Sequence, residues 1–214
     1  IIKRQATKGA GKTMNMNNTT TPETDAKKYK IIYADPPWSY TNKSLNRGGA
    51  ERHYKTTDIN ELCNINVNDI SDKNSIMFMW VTFPMLKKGL DLLDAWGFEY
   101  RTNGFTWIKT NKINGGVYMG MGGYTRSNAE ICIIGVKGKG VKRVNCGIRQ
   151  VQHHTVTKHS EKPVAFRNDI EKLYGIDKNN TDNFPRLEMF ARSAAPGWDV
   201  FGDQAPNSIR IGFK

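Results

Sequence analysis

Residues Ser75–Val81, Ser-Ile-Met-Phe-Met-Trp-Val, form an unbroken apolar run. A strand with no polar alternation is buried on both faces, as in a sheet covered by helices on each side. Glu130–Val136 reads the same way, and Lys30–Asp35 is a shorter apolar strand that ends in an acid. Between them, Phe83–Trp96 carries Met85, Leu86, Leu90 and Leu93 at helical spacing and is closed by Gly97. Asp58 fits the N-cap of a short helix through Cys63. Pro163 suits the first turn of a helix that runs to Tyr174 and stops at Gly175. Phe105–Lys109, Val144–His154, Arg186–Ala191 and Trp198–Phe201 are the remaining extended segments. Strands alternating with helices predict an α/β fold on a mostly parallel sheet.

The 214 residues suffice for one such domain with a real core. Residues 1–28 read as a flexible basic leader and residues 29–214 as the folded domain, with no internal repeat. Gly11-Lys12-Thr13 resembles the end of a P-loop, but Ala6 stands where that motif needs Gly and no strand precedes it. Ile1-Ile2-Lys3-Arg4 is not a secretory signal; without an initiator Met, it leaves room for a longer parent chain. No apolar run is long enough to span a membrane. Cys63, Cys132 and Cys146 are odd in number and widely separated, which excludes a disulfide framework and predicts a reducing, intracellular setting. That means nuclear in a eukaryote and cytoplasmic in a bacterium or phage. His53, His153, His154 and His159 lack partners at ligand spacing, so no metal site is expected. The net charge of +12 favours a polyanionic partner, nucleic acid first. An AT-rich genome also enriches Lys and Asn whatever the function.

In an open α/β sheet, ligands bind at the carboxyl ends of the strands. Asp35-Pro36-Pro37-Trp38 lies at such an end. Asp35 is an acceptor held at the sheet edge, Pro36 aims a carbonyl fixed by a stiff ring pair, and Trp38 offers a flat face. Two aimed oxygens beside an aromatic plane suit a planar base bearing an NH₂ group. The N6 lone pair of adenine is delocalised into the ring, so that amine is a poor nucleophile. Acceptors on its hydrogens localise the lone pair and stabilise the positive charge that develops during attack. Stacking holds the base for in-line displacement at a sulfonium methyl, with no metal and no covalent intermediate. By itself Asp-Pro-Pro is a common turn and Trp38 a packing residue.

The chain around this motif resembles the DPPW-type adenine-N6 methyltransferases, a family that acts on eukaryotic mRNA or on DNA. The resemblance runs through Tyr33–Trp38, Phe78–Val81, Thr106–Thr110, Asn128–Gly138, His159–Pro163, Leu173–Gly175, Arg186–Arg192 and Gly197–Gln204, in the family's order. It implies a Rossmann-like methyltransferase fold with permuted motif order and S-adenosylmethionine as cofactor. It also implies adenine in nucleic acid as substrate, with DNA favoured over RNA because no RNA module such as a zinc finger accompanies the domain. Asp35, Pro36, Pro37 and Trp38 then resemble the catalytic set. Asp35, Lys162, Glu188, Arg192, Asp203 and Gln204 resemble cofactor-binding residues. Asp203 stands where the family has Asn, keeping an acceptor and losing a donor. Ala194-Ala195 replace a polar pair present in an mRNA-acting member, and no acid in the leader aligns with the one that holds the cofactor's adenine there.

The target amine is paired inside a duplex, so the enzyme must take a single strand or extrude the base. Two segments are expected to grip it. Residues 39–56 offer Tyr40, Lys43, Arg47 and Arg52 beside the stacking face of Trp38. The glycine-rich Gly115–Gly123 stretch, with Lys112, Tyr118, Tyr124 and Arg126, reads as a gate with stacking surface and phosphate contacts. Trp80, Trp96 and Trp107 are expected in the core. A paralogous partner subunit is a further expectation, since such heterodimers occur in the family. A catalytically silent binding subunit is the alternative of another class; the intact Asp35 opposes it. Ser in place of Asp35 would have indicated cytosine-N4 chemistry.

Overall fold

A computed structural model describes residues 27–39, 56–122, 124–158, 160–177, 181–202 and 205–214. Its strands are β1 (Tyr29–Ala34), β2 (Ser71–Val81), β3 (Glu99–Thr110), β4 (Ala129–Lys137), β5 (Val151–Thr155), β6 (Arg186–Met189) and β7 (Asp199–Phe201). The helices are α1 (Ile59–Asn64), α2 (Val67–Ile70), α3 (Leu86–Ala95) and α4 (Val164–Tyr174). The strands form one sheet in the order β5-β3-β4-β2-β1-β6-β7. β1 pairs in parallel with β2 and β6, β6 with β7, and β3 with β5; β4 is antiparallel to both of its neighbours. The sheet is therefore mostly parallel, as expected, with β4 alone reversed. Parallel neighbours need a long crossover, usually a helix, and among the described residues no helix lies between β3 and β4.

The apolar runs sit at the centre. Alternate residues of β1 face two cores, with Ile32 and Ala34 packing under α1 and α3 and Ile31 and Tyr33 under α4. Leu62, Leu92, Leu93 and Trp96 fill the first core; Phe166, Ile170 and Tyr174 fill the second with Phe78, Trp80, Phe105 and Trp107. The three tryptophans expected inside are buried.

Helix ends follow local chemistry. The Asp58 carboxylate accepts the Asn60 N–H at 2.8 Å, capping α1. Gly175 closes α4 in the left-handed region, where a side chain would be strained. The segment expected as one helix from Phe83 begins as a 3-10 turn over Phe83–Met85, where Pro84 lacks an N–H, before α3 takes over. Residues 144–150 are not strand: the Val144 and Asn145 N–H groups donate to the Leu173 carbonyl near the end of α4, and β5 starts only at Val151. The single-turn α2 was not anticipated. Among the described residues, no helix is long and apolar enough to cross a membrane. Of the leader, residues 1–26 lie outside the described residues; Lys27 pairs with Asp199 at 2.5 Å and Lys28 donates to the Asp69 carbonyl.

Candidate functional site at the carboxyl ends of the strands

β1 ends at Ala34, and Asp35 follows it out of the sheet with its N–H on the Met189 carbonyl of β6, at 3.3 Å. Two prolines keep the chain from continuing the ladder. The Pro36 carbonyl accepts the Trp38 N–H at 2.9 Å, and the Pro37 carbonyl accepts the Thr57 N–H at 2.9 Å. This tight turn fixes the direction of the Pro36 carbonyl, which keeps a second lone pair. Trp38 departs from the expectation of a face open to a base. It is 5% exposed, packs with Ala34 and Leu62, and donates its indole N–H to the Trp80 carbonyl at 3.2 Å.

Lys162, just before α4, places its ammonium 2.8 Å from both oxygens of Asp35 and 3.2 Å from Glu130 of β4. The other Glu130 oxygen takes Lys109 of β3 at 2.5 Å. Two lysines and two carboxylates thus alternate across the end of β1, the entry to α4, β4 and β3, and their formal charges cancel. Indole faces line the two cations: Lys162 lies 5.6 Å from the Trp80 ring and Lys109 lies 5.0 Å from that of Trp107. The Trp80 N–H is itself held by the Tyr33 hydroxyl at 2.6 Å.

Burial sets the protonation tendencies, and the partners answer it. Burial pushes Asp35 above the usual carboxylate range, with Lys162 opposing it and Glu130 adding to the rise. Burial acts upward on Glu130 too, but Lys162 and Lys109 overcome it and leave that carboxyl below its ordinary value. Burial would lower Lys162; the carboxylates of Asp35 and Glu130 reverse this and hold it firmly charged. Lys162 is therefore a fixed cation and Asp35 the acid that titrates more readily.

A cleft opens beside this network, lined by Asp35, Lys162, Arg167, Glu188, Phe190 and Arg192 among others. Glu188, on β6, takes Arg167 of α4 at 2.6 Å; burial raises its carboxyl, with Arg167 opposing and Asp35 adding to the rise. Two non-glycine residues beside the cleft adopt left-handed backbone: Ser160 at φ 57°, whose carbonyl accepts from Lys162, and Phe190 at φ 62°. Strain of this kind persists only where the surroundings enforce it, and it concentrates at functional sites.

The structure brings together Asp35, Lys162, Glu188 and Arg192 of the expected residues. Asp203, Gln204, Tyr40, Lys43, Arg47 and Arg52 lie outside the described residues. Lys112, Tyr118, Tyr124 and Arg126 do not line the cleft. They sit on an exposed arm, residues 111–122 and 124–128, pinned at its base by the Tyr118 N–H on the Lys109 carbonyl and by a bridge between Thr110 and Val117. Ile113, Met119, Met121 and Tyr124 stand open to solvent on it. Glu130, Lys109 and Arg167 were not singled out from the sequence. An acid inside an apolar strand is the signal that marked Glu130, because an unpaired buried carboxylate is too costly to leave alone.

The MT-A70 family description matches residues 29–204. The chain belongs to the MT-A70 family. It is accordingly a methyltransferase. It is 35% identical over 210 residues to the Type II methyltransferase M.MunI of Mycoplasma sp, covering 89% of this chain and 84% of that protein. It is 27% identical over 183 residues to the human N(6)-adenosine-methyltransferase catalytic subunit METTL3, covering 83% of this chain but 28% of that protein. The N(6)-adenosine-methyltransferase MT-A70-like protein of Arabidopsis thaliana is 28% identical over 187 residues, with 86% and 24% covered.

Proposed function

We propose that this MT-A70 chain transfers the methyl group of S-adenosylmethionine to the N6 amine of adenine in DNA. The observation that carries the reading is Asp35. Its carboxylate stands at the end of β1, its two oxygens held by Lys162, at the wall of a charged cleft. The side chain is still 29% exposed, and each oxygen keeps lone-pair capacity for an amine hydrogen.

The cleft's donor set fits the cofactor's chemistry. Asp35 and Glu188 are acids suited to a sulfonium or an ammonium and to ribose hydroxyls, and Arg192 suits a carboxylate. Those three residues with Lys162 would hold it, and the bound group supplies an electrophilic methyl on sulfur. The chain's own residues do the rest. Lys162 keeps Asp35 ionised and oriented, so no reorganisation is needed when charge appears on the amine nitrogen. Asp35 accepts an amine hydrogen, localising the lone pair. Its upward-shifted carboxyl makes it a better acceptor of the proton that the methylated amine must shed. The Pro36 carbonyl offers the second acceptor, and the buried Trp38 stiffens the turn that aims it. Tyr118 and Tyr124 supply stacking surface, and Lys112 and Arg126 supply phosphate contacts, from the arm.

DNA is favoured over RNA by extent of match. The Type II methyltransferase is matched over most of its length, whereas the N(6)-adenosine-methyltransferases are matched over about a quarter of theirs. The deciding assay follows labelled methyl into duplex DNA, single-stranded DNA and RNA, with Asp35→Ala as control. Transfer to DNA adenine that disappears in the variant is expected. Preferred transfer to RNA would overturn the substrate, and absence of calorimetric cofactor binding would overturn the enzymatic reading of this chain.

A further inference from the structure

Among the described residues β5 is an edge strand, with no strand paired to its outer side. The Thr106 N–H donates to the Gln150 carbonyl and the Val156 N–H to the Thr110 carbonyl. Even-numbered residues therefore bond to β3, and alternation turns the N–H groups of Val151, His153 and Thr155 outward. An open groove runs along this edge, lined by Gly147, Ile148, Arg149, Val151, Gln152, His153 and Asp169. Between Glu130 and Glu161 the chain carries six Lys or Arg and not one Asp or Glu. Arg149 enters the groove at the start of β5, exposed, and Lys158 stands exposed beyond its carboxyl end. Among the described residues no ion pair engages Arg149, and the acid facing Lys158 is Glu161. Asp169, the groove's one acid among the described residues, is taken by Lys172 at 3.0 Å and by the Gln152 amide at 3.0 Å.

We propose that the outer edge of β5, with Arg149, His153 and Lys158, is a track for the nucleic-acid backbone flanking the target base. This rests on the nucleic-acid reading of the cleft and adds to it a second contact surface. Charge complementarity chooses the occupant. A peptide adding to the edge as a strand would use the same outward N–H groups, but it has no need of an acid-free basic border. Four strand spacings separate β5 from β1, which places the track roughly 19 Å from Asp35. At a rise of about 3.4 Å per base pair, a duplex centred on the site reaches the edge some six pairs from the target. The contact is to phosphates, so it adds affinity without sequence preference.

The test compares Arg149→Ser/Lys158→Ser with a charge-matched control, Lys139→Ser/Lys142→Ser, in the turn after β4 at the amino end of the sheet. Fluorescence anisotropy with a labelled mixed-sequence duplex of roughly 24 base pairs reads affinity against salt. The edge variant is expected to lower the slope of log affinity against log salt by about 2 and weaken binding roughly 30-fold at about 0.15 M salt. The control is expected to do neither, and circular dichroism melting confirms that both fold. An unchanged slope in the edge variant, or an equal loss in the control, overturns the track. So does tighter binding of an extended acidic peptide than of duplex by the native chain. Methyl transfer at saturating substrate is measured in parallel: if the native chain binds DNA but never methylates it, the reading of the cleft fails while the track stands.

Discussion

Lys162 precedes α4 and Glu171 lies in its last turn, and each bridges to an opposite charge beside the sheet. Lys162 meets Asp35 at the carboxyl end of β1; Glu171 meets Arg186 at the amino end of β6, at 3.0 Å. The two pairs have similar burial, yet their surroundings differ. Arg186, 4% exposed, lies against the Trp198 ring, whose N–H also donates to Glu171 at 2.8 Å. Gly197 passes so close that an added Cβ would sit 2.3 Å from the guanidinium. That pair is enclosed. The Lys162 pair instead continues to Glu130 and Lys109, and its Asp35 opens on a cleft that holds Glu188 and Arg192. Burial and pairing are common to both; what sets Asp35 apart is access to a cleft at the carboxyl ends.

The sharpest way to break this contrast is Asp35→Asn. Methyl transfer should fall about 1,000-fold, as when a preorganised electrostatic contact is lost, while the urea midpoint barely moves. Retention of transfer within tenfold would leave the two pairs alike. Glu171→Gln should do the reverse, costing on the order of 3 kcal/mol in urea unfolding because Arg186 is left buried without its counter-charge. Transfer per folded molecule should stay unchanged.

Lys162→Met sharpens the electrostatics. Since Lys162 opposes the burial-driven rise of Asp35, its loss should move the acid limb of the pH–rate profile to higher pH. An acid limb that stays in place would show that Lys162 does not govern Asp35.

Glu130→Gln should reduce transfer by less than the roughly 100-fold that marks loss of a direct acid–base group, because Glu130 acts through Lys162. Glu130 is held below its ordinary 4.5, so its contribution to stability is present above that pH and vanishes as pH falls through the folded value. The stability gap between native and variant protein should therefore close in acid, as read by urea melts across pH. The smallest effect belongs to a residue of neither pair: Asp58→Ala removes the α1 cap and should cost about 1 kcal/mol of thermal stability, leaving transfer intact.

Much of this was legible in the residues themselves. Unbroken apolar runs placed the central strands, because a strand buried on both faces excludes polar alternation. Asp58, Gly97 and Gly175 marked helix ends, since caps are local backbone chemistry. The motif order named Asp35, Lys162, Glu188 and Arg192 together, and the structure sets them around one cleft. What stayed hidden depended on contacts between residues far apart in the chain. The reversal of β4 follows from the connection lacking a helix, and the lack of one between β3 and β4 was a readable clue. Trp38 has the same composition whether it faces a base or a core; packing against Leu62 and Trp80 decided it. Arg167 and Lys109 are ordinary basic residues until β6 and β4 bring buried acids to them. Sequence determines local conformation and which side chains must be buried, because those are set by neighbours along the chain and by contact with water. Only the tertiary structure decides which charges meet, because a Coulomb partner is chosen by distance in space.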